Sequence, residues 1–102
     1  MGPTKYLTSS RAVEAYVLIV SGRVQGVGFR WFTEREASRR NIHGYVRNLQ
    51  DGRVEVWAQA ERETLDEFCE RVKRGPSASR VDRVEMRTVG VDESFSSFEV
   101  RF

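Results

Sequence analysis

The chain has 102 residues, room for one hydrophobic core and not for two. Hydrophobic residues make up 39% and charged residues 31%, the balance of an ordinary globular domain, and no apolar run approaches membrane-spanning length. The 17 Lys and Arg are interspersed with 15 Asp and Glu, for a net charge of +2, which argues against the clustered basic footprint of a dedicated nucleic-acid binder.

Met1 to Val13 is polar and rich in small residues, and reads as a flexible extension before a single domain over residues 14–102. It lacks the apolar centre of a signal peptide. The single cysteine, Cys69, excludes an internal disulfide and fits a reducing compartment, so a cytoplasmic location is expected. Ala15 to Val20 is a near-continuous apolar run suited to a central strand. Ser21 to Arg30 is glycine-rich, and a helix is expected from about Phe29 to Arg40. Phe29, Phe32, Thr33 and Ala37 share one helical face, while Glu34, Arg35, Arg39 and Arg40 turn to water. Asn41 accepts the left-handed conformation that ends a helix.

Gly44 to Asn48 and Arg53 to Ala58 read as two strands, joined by a Leu49-Gln50-Asp51-Gly52 turn in which Asp-Gly supplies the positive φ. Alternation puts Val46 and Asn48 on one face of the first strand. In the second, Val54, Val56 and Ala58 share a face, with Arg53, Glu55 and Trp57 opposite. Glu61 to Arg74 carries a clean helical stripe of Leu65, Phe68, Cys69 and Val72. Glu61 and Glu63 fall in its first turn and Arg71, Lys73 and Arg74 in its last, as the helix dipole favours. Gly75-Pro76 stops it. Val81 to Val89 is a strand in which Val84, Met86 and Thr88 alternate and Val81 is out of step, which suggests a bend. Ser97 to Phe102 is the last strand, with Phe98, Val100 and Phe102 on one face. The order βαββαβ plus a terminal strand predicts an α+β domain, an antiparallel sheet with both helices on one face.

The chemistry concentrates in the loop. Gly22, Gly26 and Gly28 let the backbone curl and approach a ligand, so successive amides can form an anion-binding concavity completed by the following helix N-terminus. Arg23 and Arg30 bracket it, and an arginine fork matches phosphate or carboxylate. The G-x-x-x-G-x-G spacing is neither the dinucleotide fingerprint nor the nucleoside-triphosphate loop. The same composition also fits a tight strand-to-helix turn with glycines for packing. His43, the lone histidine, reads as a surface or packing residue, and Cys69 as a small buried hydrophobe. No residues show metal-ligand spacing, so neither metal nor cofactor is expected. An anion cradle without acid, base or nucleophile works by positioning and charge stabilisation, which suffices for a substrate with a good leaving group.

Gly22-Arg23-Val24-Gln25-Gly26-Val27-Gly28-Phe29-Arg30, Gly44-Tyr45-Val46-Arg47-Asn48 and Asp51-Gly52-Arg53-Val54-Glu55 closely resemble the signature blocks of acylphosphatases. Gly75-Pro76 with Val81 looks like a weaker third block, and the resemblance spans roughly Val17 to Phe102. It implies the ferredoxin-like split βαβ sandwich and metal-independent hydrolysis of the carboxyl-phosphate anhydride, without a covalent phosphoenzyme. By the same resemblance, Arg30 and the loop backbone of Arg23, Val24, Gln25, Gly26, Val27, Gly28 and Phe29 would bind the phosphate. Asn48 would orient the attacking water. Arg47 should point to the opposite face and takes no role. Leu49 stands where the family often carries a small hydroxyl residue, and Gly28 at a position that varies. The expected partners are a small acyl phosphate and inorganic phosphate, as product and competing ligand, with no nucleic acid or membrane, and a monomer is expected.

Two other readings remain open. One is a non-catalytic anion-binding or channelling module, like the domain that begins hydrogenase-maturation carbamoyltransferases; the end of the sequence on the last strand, at Phe102, favours a free-standing enzyme. The other is an RNA-binding module, which shares the βαββαβ order and would use Trp57, Tyr45 and Arg53 on the open sheet face, although the aromatic RNA signature is absent.

Overall fold

The apolar run from Ala15 to Val20 becomes an interior strand of the sheet, one place from its edge, in the computed structural model, which describes residues 12–102. It belongs to β1 (Val13–Arg23), which is followed by α1 (Phe29–Arg39), β2 (His43–Asn48), β3 (Val54–Glu61), α2 (Arg62–Arg74), β4 (Arg80–Val89) and β5 (Phe98–Arg101). The sheet order is β4-β1-β3-β2-β5. Strand alternation sends Tyr16, Leu18, Val20, Val46, Val54, Val56 and Ala58 to one face, where they form a single core with both helices. The α2 stripe expected from the sequence is buried in full, with Leu65, Phe68 and Val72 at 0% exposure. Each such side chain stabilises the fold by about 1.5–3 kcal/mol. Cys69 lies in the same layer, and burial pushes its thiol up to about 11, so it packs rather than reacts.

One pairing departs from an all-antiparallel sheet. β5 runs parallel to β2, because the 90–97 connection carries the chain from the β4 edge to the opposite edge of the sheet. That crossing lays Phe95 over the open face, with ring centroids 4.8 Å from Trp57 and 6.0 Å from Tyr45. Gln59 ties the crossing down through paired 2.9 Å hydrogen bonds to the backbone of Asp92. The open-face aromatics are therefore partly covered from within the chain.

Smaller differences have local causes. The extension expected over Met1 to Val13 lies outside the described residues as far as residue 11, and Val13 itself opens β1 opposite Glu61. Glu61 is the last residue of β3 and the N-cap of α2, not a helical residue. Asn41 does adopt a left-handed conformation, φ 56°, after α1. The bend expected at Val81 is a register shift opposite Ser21 and Gly22, where β4 carries one extra residue. Arg40 does not face water. It is half-buried and donates 2.7 Å from Nη1 to Glu36 Oε1 and 3.1 Å from Nε to Glu67 Oε1. Glu36 is itself buried, which raises its carboxyl pKa, but hydrogen bonds and charge from Arg40 and Arg71 outweigh this and hold it below the usual carboxylate value.

Candidate active site

β1 ends at Arg23, and the next five residues, 24–28, turn the chain into α1. The loop is anchored on two sides. Val24 is 1% exposed and plugs the core beneath it, and Val27 packs against the same cluster. The Gln25 side-chain amide donates 2.8 Å hydrogen bonds to the carbonyls of both Leu49 and Arg53, at the mouth of the β2–β3 hairpin. Gly26 and Gly28 adopt φ of +73° and +78°, conformations that a side chain would strain. A Cβ built on either meets nothing within 4 Å, so these residues are needed for backbone direction and leave open space beside it.

That space is a cavity of about 190 Å³ lined by Val24, Gly26, Gly28, Phe29, Arg30, Trp31 and Asn48. Gly28 is the N-cap of α1 and offers no side chain to the first-turn amides. No acidic residue lies in that turn, so nothing in the helix itself neutralises its positive end. Arg30 adds a full charge there. Its Nη1 donates 2.8 Å to the Arg101 carbonyl, and the guanidinium lies 4.4 Å from the centroid of the Phe102 ring. Arg30 has no carboxylate partner among the described residues, unlike Arg40, Arg47, Arg53 and Arg80.

Asn48 reaches the cavity from β2. Its neighbour two residues earlier, Val46, is buried in the core, and the alternation expected from the sequence holds. Asn48 Oδ1 is a buried acceptor without a hydrogen-bond partner among the described residues. Such an acceptor costs about 1–3 kcal/mol unless something donates to it. Arg47, on the other face, pairs with Glu55.

The fold thus brings Val24, Gly26, Gly28, Phe29, Arg30 and Asn48 together at one cavity. Arg23, Gln25 and Val27 do not line it. Arg23 is the exposed last residue of β1, paired with Arg80, while Gln25 and Val27 brace the loop from behind. His43 opens β2 and lies outside the cavity lining. Sequence reasoning passed over Trp31, which lines the cavity although it sits on the water-facing side of α1. Among the described residues, no group of three or more His, Cys, Asp or Glu could hold a metal ion.

Comparison with known proteins places the chain in a family. The acylphosphatase family model matches residues 16–100. The chain belongs to the acylphosphatase family. One family relative, the acylphosphatase of Archaeoglobus fulgidus, is 50% identical over 91 residues, covering 89% of this chain and 98% of the relative. Among solved structures, the acylphosphatase from Bacillus subtilis superposes with a TM-score of 0.84 at 38% identity, covering 89% of this chain and 100% of that one. A structure of full-length HypF in its phosphate- and nucleotide-bound form gives a TM-score of 0.81 at 27% identity, over 90% of this chain and 12% of that one. No helix among the described residues is long and apolar enough to cross a membrane.

Proposed function

We propose that the protein hydrolyses the carboxyl-phosphate anhydride of a small acyl phosphate, giving a carboxylate and inorganic phosphate, with Arg30, the 24–28 loop and Asn48 as its machinery. The observation that carries this reading is the meeting of an uncapped helix N-terminus and an unpaired arginine with an orphaned amide oxygen at one cavity. The first two suit the phosphoryl oxygens: backbone amides and the guanidinium donate to them and spread the charge as the anhydride breaks. Asn48 Oδ1 suits a water. A water that donates to this acceptor is fixed in orientation and presents its oxygen lone pair to phosphorus.

The step balances without further groups. The water oxygen forms a bond to phosphorus as the bond from phosphorus to the bridging oxygen breaks, and that electron pair leaves on the carboxylate. A carboxylate needs no protonation to depart, and a phosphoryl oxygen of the substrate takes the proton from water. Positioning and charge stabilisation then supply most of the rate. Residues 14–102 act as the single catalytic unit in this reading.

The likeness to a small part of the phosphate-bound HypF, at 27% identity, is the weaker support and belongs to a second reading, an anion-binding module without hydrolysis. Benzoyl phosphate separates the two. Metal-independent loss of its anhydride absorbance, inhibited competitively by inorganic phosphate, is the expected result. Phosphate binding without turnover would replace the enzyme with the module.

A further inference from the structure

The groups assigned so far serve the phosphoryl end and the water; the acyl end has none. Beside them stand two aromatic rings that core packing does not explain. Trp31 is 56% exposed and Phe102 is 91% exposed, yet they pack against each other with ring centroids 6.5 Å apart. The inward face of α1 is already filled by Phe29, Phe32 and Ala37, so Trp31 adds nothing to the core. It lines the cavity with Arg30 and Asn48, and Phe102 continues its surface over the Arg30 guanidinium. The result is an apolar, π-rich rim on an otherwise polar cavity. An exposed pair of large rings at a ligand cavity marks a contact surface more often than a folding necessity.

We propose that Trp31, with Phe102 behind it, forms an acyl subsite that favours aromatic acyl groups over small ones such as acetyl. The inference rests on the phosphate-end reading. With the phosphoryl group in the loop, the acyl group must emerge past the rim, and a planar aryl group can stack there. Acetyl offers no such face. Phe102 has a second duty at Arg30, so Trp31 is the residue that separates acyl selection from phosphate anchoring.

The test uses stable analogues, benzoylphosphonate and acetylphosphonate, titrated calorimetrically into wild type, Trp31→Ala and Trp31→Phe. Wild type is expected to bind the benzoyl compound more tightly. Trp31→Ala should lower that preference about threefold to tenfold, the scale of one aromatic contact, and Trp31→Phe should restore most of it. Circular dichroism of both variants checks that the exposed position leaves the fold intact. A preference that is absent in wild type, or unchanged in Trp31→Ala, overturns the subsite. Binding needs no turnover, so failure to hydrolyse benzoyl phosphate would remove the functional reading while these titrations still decide the subsite.

Discussion

The two strand-to-helix junctions of this domain start from similar pieces and do different things. From β3 to α2 the chain turns without a loop: Glu61 ends the strand and caps the helix, and Arg62 begins it. From β1 to α1 it spends five residues, two of them glycines at positive φ. Neither helix has a side-chain hydrogen bond at its N-cap. What separates them is the second helical position. In α2 it is Glu63, whose carboxylate offsets the positive helix end; in α1 it is Arg30, which reinforces that end. One junction offsets its own dipole, and the other leaves it open at the cavity. The proposed binding site lies where the chain leaves its own electrostatics unsatisfied.

Breaking the α1 junction at Arg30 should have the largest effect. Arg30→Ala is expected to lower kcat/KM for benzoyl phosphate by at least about 10³, the upper end for losing one charge-stabilising donor, and to abolish phosphate inhibition. Stability should hold, because removing a cation from the positive helix end offsets the lost stacking on Phe102. Retained activity in a folded variant would remove Arg30 from the mechanism. Asn48→Ala comes next. A fall in kcat of roughly 10²–10³ is expected, with phosphate inhibition little changed. Urea unfolding should show a variant at least as stable as wild type, since the substitution deletes an orphaned acceptor. A large loss of stability would instead make Asn48 a residue that holds the hairpin.

Much of this was legible in the sequence, and the reasons are local. The α2 stripe follows from a spacing of three and four, and the facing of Val46 and Asn48 from a period of two. Arg30 stood out because it brackets the glycine-rich loop, whereas Asn48 stood out only through the resemblance of its block to those of acylphosphatases. What was hidden depends on residues far along the chain. Trp31 reads as one more residue on the outer side of α1 until Phe102 is placed against it. The bracing role of the Gln25 side chain is invisible until the carbonyls of Leu49 and Arg53 are found at its amide. Arg40 reads as solvated because its partner Glu36 is polar, and polarity alone does not reveal that a carboxylate is buried. The parallel seating of β5 was beyond local patterning, since element order does not fix which edge receives a last strand.

Gln25 tests how far the α1 loop depends on its brace. Gln25→Ala removes both donors to the hairpin carbonyls and should destabilise the domain by about 1–2 kcal/mol, measured by urea unfolding. Activity should fall roughly tenfold, less than for Asn48→Ala, because the loop loses precision and keeps its ligand groups. Unchanged activity would mean that Val24 and Val27 alone hold the cradle.

The smallest effect belongs to the other junction. Glu63→Gln keeps length and hydrogen-bonding capacity while removing the charge that offsets the α2 dipole. It should cost about 0.3–1 kcal/mol at low ionic strength, seen as a modest drop in Tm, and the difference should shrink in concentrated salt, where exposed charges are screened within a few ångström. Turnover should not change, because Glu63 does not line the cavity that Arg30 and Asn48 share. This weak result matters to the comparison. If Glu63→Gln left stability untouched at low salt, the charge at the second helical position would have no measurable coupling to the helix end. The opposite charge at Arg30 would then act only through its own guanidinium, and not by adding to the potential of α1.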